Sequence, residues 1–206
     1  MNLEDNFSKV TTFLDSIDGS REEILKISRQ ITRKCSVAIK SIHRAEFDLS
    51  KEKIENIQEE LKTLRNLVNK NPGYFFKYLK IPEQEFAEAI CLYAFIKGKE
   101  IPNHKDLNID ALNYALGLAD VIGELRRYIL DNIRKAKTNN LDVFLDIMED
   151  IHTQLFSLDY PSGLTKDLRH KTDIARTLLE KTRGDISLSV QMNKLKDNLE
   201  EILKDS

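Results

Sequence analysis

Glycine and proline are scarce in this chain of 206 residues, with seven of the first and four of the second. So few breaks leave room only for long regular elements joined by a handful of loops. No run of about 18 apolar residues occurs, which argues against a membrane-spanning helix. The opening Met-Asn-Leu-Glu-Asp-Asn-Phe has no basic start and no apolar stretch. A secretory leader is therefore not expected, and the expected location is cytoplasmic. There are two cysteines, Cys35 and Cys91, too far apart for a zinc spacing or a disulfide framework. They are expected to be small core residues. The chain also lacks a P-loop, a Gly-rich dinucleotide loop and a Ser/His/Asp arrangement.

What is present is a chain with 41% hydrophobic and 32% charged residues, the balance of a soluble globular protein with much solvated helical surface. This length accommodates one large domain with a proper core, or at most two small ones, and one domain over 1–206 is the expectation. Apolar positions recur at three and four almost throughout, and no convincing period-two stretch appears. The expected class is all-α, a single domain of about seven long helices.

A first helix is expected over 3–16. Ser20 followed by Glu23 has the form of a capping box and predicts a second helix running to Phe47, striped by Ile24, Ile27, Ile31, Cys35, Ala38 and Ile42. Ser50 opens the next, with Ile54, Ile57, Leu61, Leu64 and Val68 inward. Asn71-Pro72-Gly73 is a break, and Tyr74, Phe75, Phe76 and Tyr78 form an aromatic knot before Pro82. That proline stands where the first residue of a helix to Ile96 would. Gly98 ends this helix, and Ile101-Pro102-Asn103 is loop. Asp110 or a neighbour caps a helix over 110–136, and Thr138-Asn139-Asn140 turns into another over 141–157. After the Asp159-Tyr160-Pro161-Ser162-Gly163 loop, Gly184 separates two last helices over 164–182 and 187–204.

Two pairs of carboxylates interrupt stretches that a helix would rather keep apolar. Glu85 and Glu88 are spaced i,i+3, and Asp120 and Glu124 i,i+4, so each pair shares a helix face. Burying an ionised carboxylate is costly without a cation, a donor or a metal. Facing each other, the two pairs would offer oxygen ligands to a hard divalent ion such as Mg²⁺. Such an ion suits phosphodiester hydrolysis. Asn113, Gly117, Asp120, Glu124, Arg127 and Asp131 form one polar stripe on the second helix. Gly117 and Gly123 each cost about 1 kcal/mol relative to Ala, which close approach of a backbone, ligand or metal would explain. The structural alternative is a row of salt bridges with Arg126, Arg127 or another subunit. A rival cluster of Asp142, Asp146, Glu149 and Asp150 includes one Glu-x-x-His, Glu149 to His152. Di-iron bundles need two such motifs, so Asp142, Asp146 and Glu149 are expected to form a solvated face.

The net charge of −2 hides a basic stretch, Arg21 to Arg44. Within it Arg29, Arg33, Lys40 and Arg44 share one helix face, with Lys26 close by. Such a row can track a phosphate backbone without reading bases, or it can simply be solvated. Lys97 and Lys99 could extend a phosphate-attracting rim.

Three segments carry a family resemblance. Leu25-Lys26-Ile27-Ser28-Arg29-Gln30-Ile31-Thr32 resembles the KLSRDIT segment of the translin/TRAX family. Glu85-Phe86-Ala87-Glu88-Ala89 resembles the EYVEA of its TRAX branch. Tyr114-Ala115-Leu116-Gly117-Leu118-Ala119-Asp120-Val121-Ile122-Gly123-Glu124-Leu125 resembles YLLGVADLTGEL. Order and intervals agree over nearly the whole chain. The resemblance implies a helical subunit of a closed, hollow oligomer, usually an octamer, with RNA held inside. It also implies that a TRAX-type subunit is a Mg²⁺-dependent endoribonuclease using four acidic residues, which fall on Glu85, Glu88, Asp120 and Glu124. Translin-type subunits bind nucleic acid and lack those residues. The long insertion that TRAX proteins of higher organisms carry after the helix ending near Gly98 is replaced here by a short loop. This compact form resembles prokaryotic homologues, those of archaea in particular, which could build a shell from one subunit type.

The function expected is therefore a Mg²⁺-dependent endoribonuclease, with Mn²⁺ able to substitute. It would cut mainly single-stranded or partly structured RNA inside a homo-oligomeric, octameric shell. The metal and catalytic residues would be Glu85, Glu88, Asp120 and Glu124, and the RNA-binding residues Arg29, Arg33, Lys40 and Arg44. One alternative is a non-catalytic shell of translin type that binds single-stranded RNA or DNA; another is a helical scaffold whose carboxylates only make ion pairs. The seam Leu188, Val190, Leu195, Leu199, Ile202 and Leu203 exceeds what packing within one chain needs, so part of it is expected between subunits, the alternative being simple packing on its own bundle.

Overall fold

The structure is a computed structural model that describes residues 2–138 and 140–204. Its regular elements are all helical, with no strand among the described residues. They are α1 (Leu3–His43), α2 (Phe47–Val68), α3 (Pro72–Phe75), a 3-10 turn (Phe76–Leu79), α4 (Lys80–Ile96), α5 (Ala111–Arg134), α6 (Leu141–Phe156), α7 (Ser162–Thr165) and α8 (Leu168–Lys204). Asn139, the centre of the expected Thr138-Asn139-Asn140 turn, lies outside the described residues. No helix among them is long and apolar enough to cross a membrane. The chain divides into two compact units, Met1–Tyr93 with Pro102–Tyr114, and Ala94–Ile101 with Ala115–Ser206.

The first unit is built on α1 and α2, which a short connection turns back on each other; Ala45 takes a left-handed φ of 60° in it. Ile24, Ile31, Cys35, Ala38 and Ile42 from α1 are buried, as are Ile54, Ile57, Leu61, Leu64 and Val68 from α2. Each large aliphatic side chain removed from water contributes about 1.5–3 kcal/mol. Phe75 of the aromatic knot is fully buried, whereas Phe76 is exposed. Two expected boundaries are absent. The helices expected over 3–16 and from Ser20 are one helix of 41 residues, because Ser20 donates its hydroxyl back to the Ser16 carbonyl at 2.9 Å instead of capping forward. Ser50 likewise donates to the Phe47 carbonyl at 2.8 Å, and α2 begins at Phe47. Pro82 is the third residue of α4 and not its first. Its missing N–H still falls in the first turn, where no intrahelical acceptor exists.

The same unit holds the start of α5. Asp110 caps it as expected, with Oδ1 accepting from the backbone N–H of Leu112 at 2.9 Å and of Asn113 at 3.1 Å. Asn103 organises the preceding loop, accepting from the N–H groups of Lys105 and Asp106.

In the second unit Gly98 closes α4 at a φ of 59°. Its N–H donates to the Phe95 carbonyl, and that of Lys99 to Ala94, a Schellman closure that only glycine enters at little cost. α6 and α8 pack together through Leu141, Leu145, Met148, Ile151 and Leu155 on one side and Leu168, Ala175, Leu179 and Ile186 on the other, all buried. Gly184 does not separate two helices: α8 runs unbroken from Leu168 to Lys204. One glycine costs about 1 kcal/mol, less than the burial of Leu179 before it and Ile186 after it contributes.

Candidate functional site

The first carboxylate pair belongs to α4, most of whose other residues in the first unit are buried, Phe86, Ala87, Ala89, Cys91 and Leu92 among them. Glu88 is only 8% exposed and Glu85 is half-buried. Both bear on Cys35 of α1: burial chiefly, then the negative charges of Glu85 and Glu88, push its thiol well above the ordinary range. Cys91 is pushed up to about 12, again by burial, against a hydrogen bond with the Tyr114 hydroxyl that acts the other way. Both thiols are buried and unpaired by any disulfide, as expected. They stay protonated near neutral pH, which leaves the ligand chemistry to oxygen.

A third α4 carboxylate escaped sequence reasoning. Glu83 is 1% exposed and accepts from three residues at once. Arg65 of α2 forms an ion pair with it, the Asp110 N–H donates at 2.9 Å, and the Asn113 amide donates at 2.9 Å. Asn113 therefore leaves the polar stripe assigned to it and joins this network. No helical spacing announces Glu83, because all of its donors are distant in sequence.

The second pair lies on the part of α5 in the second unit. Asp120 pairs with Lys171 of α8, and Glu124 lies 3.5 Å from Arg127, one turn on. Arg126 turns elsewhere, to the Asp185 carboxylate at 2.8 Å and the Thr182 hydroxyl at 2.9 Å. The expected alternative of ion pairs along α5 thus holds for Arg127 and not for Arg126, and Lys171 is a partner the sequence did not single out. A Cβ added at Gly123 would meet Leu178 Cδ1 at 4.0 Å, an ordinary contact. No group of three or more His, Cys, Asp or Glu side chains able to hold a metal occurs among the described residues. The four candidate ligands divide two and two between α4 and α5.

The rival acidic cluster is a solvated face. Asp142, Asp146 and Asp150 are exposed, Glu149 pairs with Arg183, and His152 stacks on Phe156.

Lys26, Arg29, Arg33, Lys40 and Arg44 are all exposed, and none has an acidic partner among the described residues. Lys34, next to the row, is tied to Glu60 instead. Val37, 41% exposed, sits in the row between Arg33 and Lys40. With Arg33, Lys34, Lys53 and Asn56 it lines a groove of about 280 Å³. Lys53 and Asn56 enter from α2 and were not legible as part of the row. Lys97 and Lys99 are exposed as well.

Residues 19–183 match the Translin family. An uncharacterised protein of Methanocaldococcus jannaschii is 40% identical over 200 residues, 96% of this chain and 89% of its own. The translin-associated protein X homolog of Schizosaccharomyces pombe is 24% identical over 198 residues, 88% of this chain and 86% of its own. Among solved structures, the complex of AfC3PO with duplex RNA superposes with a TM-score of 0.84 at 26% identity, covering 91% of this chain and 97% of that one. A crystal structure of AfC3PO alone gives 0.85, also at 26% identity, over 91% and 98%.

Proposed function

We propose that this chain, which belongs to the Translin family, is a metal-dependent endoribonuclease subunit that holds RNA along α1 and cleaves it with Glu85, Glu88, Asp120 and Glu124. One observation carries the catalytic part. Two carboxylate pairs stand at helical spacing on α4 and α5, with Glu88 almost entirely out of water. The donor set suits Mg²⁺ or Mn²⁺, since it offers four carboxylates with no thiolate or imidazole. A bound ion of this kind polarises a phosphodiester and lowers the pKa of its water.

The chain's own residues do the rest. Glu85 and Glu88 present oxygens from α4, and Asp120 and Glu124 from α5. Lys171 and Arg127 offset the charge of the second pair, and both end in long stems that can turn toward a phosphate. The unpaired row Arg29, Arg33, Lys40 and Arg44 attracts the RNA backbone without reading bases. That a relative of this fold has been seen with duplex RNA supports RNA as the ligand, partly structured RNA included. In its full form the proposal is a closed shell of eight copies of this one chain, acting in the cytoplasm.

A second reading has one observation in its favour. Asp120 and Glu124 already have cationic partners in Lys171 and Arg127, as they would in a shell that binds RNA without cutting it. Asp120→Asn separates the two. Under the nuclease reading it abolishes Mg²⁺-dependent cleavage of end-labelled RNA while the oligomer mass by light scattering stays unchanged. Undiminished cleavage by the variant would remove the assignment of these carboxylates. Wild-type protein that binds single-stranded and duplex RNA yet cuts neither with Mg²⁺ or Mn²⁺ would establish the binding shell.

A further inference from the structure

Both units contain a long helix that outruns its neighbour. α1 has 41 residues against 22 in α2, and α8 has 37 against 16 in α6. What overhangs is not polar. On the arm of α1, Leu3, Phe7, Val10 and Leu14 are 57%, 62%, 51% and 51% exposed. On the tail of α8, Leu188, Met192, Leu195 and Leu199 are 62%, 61%, 54% and 52% exposed. Both sets step along the chain by four, three and four, the spacing of a coiled-coil seam. Both also lie outside residues 19–183, the part of the chain that matches the family. Apolar rows this long are not left in water without a partner.

We propose that copies of this chain associate by laying the α1 arm of one copy along the α8 tail of another, the two seams closing as a short two-stranded coiled coil. This goes beyond the RNA reading and depends only on its oligomeric part, not on the carboxylates.

The occupant follows from charge and phase. The arm carries Glu4, Asp5, Asp15 and Asp18 against Lys9 alone, so two arms side by side would set acid against acid. The tail from Ser187 to Lys204 balances Lys194, Lys196 and Lys204 against Asp197, Glu200 and Glu201, with Lys196 paired to Glu200, so an arm meets there none of the net acid that a second arm would set against it. A lipid surface suits the arm poorly, because membrane-lying helices carry Lys and Arg on the polar face. The tail also does not simply extend the stripe that packs α8 in its own unit. At about 100° per residue, Leu188, Met192, Leu195 and Leu199 fall nearly opposite the face of Leu168, Thr172, Ala175, Leu179 and Ile186. A seam turned away from its own core is a seam for another chain. At the base of the arm Phe13 packs edge-on against Tyr74, centroids 6.1 Å apart, and the arm leaves the unit as the unbroken continuation of α1.

The test uses full-length protein and its own inert thiols. Cys35 and Cys91 are buried, so Val10→Cys and Leu195→Cys each add the one accessible thiol, at exposed positions that folding does not depend on. Chains carrying each substitution are co-expressed and treated with a short bismaleimide. The expected result is covalent dimer in the mixture and none from either variant alone. Dimer from Leu195→Cys alone would mean that tail pairs with tail, and dimer from Val10→Cys alone that arm pairs with arm; either overturns the proposal. So does a mixture that fails to cross-link while light scattering still finds oligomers. A monomer by light scattering would remove the oligomeric part of the proposed function as well, leaving RNA cleavage to be judged separately. As an independent arm, Phe7→Glu is expected to lower the oligomer mass with helix content unchanged, and an unaltered mass also overturns the pairing.

Discussion

Chemistry at single positions decides which sequence signals can be trusted. Ser20, Ser50 and Asp110 all precede helical patterns, and all three have the look of helix starts. A hydroxyl can donate as well as accept, so Ser20 and Ser50 turn back to carbonyls of the previous turn and the helix continues past them. An ionised carboxylate only accepts, so Asp110 is committed to the free N–H groups ahead of it. Glu83 shows the opposite limit. Its burial depends on Arg65, Asp110 and Asn113 arriving from elsewhere, and nothing local in Pro82-Glu83-Gln84 indicates that. Removing the cation should therefore be severe. Arg65→Ala leaves a buried carboxylate with two neutral donors, and is expected to cost about 3 kcal/mol in urea unfolding. Adding Glu83→Gln to that variant should recover part of the loss, because the two residues act as one unit.

Helix identity was legible from periodicity, while helix extent was not. The buried stripes of α1 and α2 are, apart from the half-buried Ile27, the ones that three-and-four spacing picks out, since packing rewards that period directly. Gly184 misleads because a single glycine is a weak break when Ile186, just beyond it, is still buried in phase with Leu179. It has no atom within 4 Å of where a Cβ would stand, and it needs no left-handed backbone. Gly184→Ala should therefore stabilise α8 by about 0.5–1 kcal/mol, read as a higher thermal midpoint. A fall in the midpoint would mean that the glycine meets something in the assembly that the isolated chain does not contain.

Across the whole molecule, the candidate site was half legible. The two acidic pairs and the basic row could be seen because each lies on one helix face, where spacing is information. Lys171, Lys53 and Asn56 could not, since they reach their places from other helices. The row makes a sharp prediction of its own. Arg29, Arg33, Lys40 and Arg44 are exposed without acidic partners among the described residues, so changing all four to Gln removes no ion pair and should leave the melting curve in place. RNA affinity by fluorescence anisotropy should fall, and the slope of log affinity against log salt should shrink by roughly 2–3, about 0.7 for each phosphate on a single strand that the row no longer neutralises. An unchanged slope would place the RNA on another surface. The uncovered ends of α1 and α8 matter in a different way. Mass action governs any surface that only a second molecule can cover. Dilution would strip that cover as surely as a denaturant, and the heat tolerance of a solution of this protein would depend on how crowded it is with its own kind.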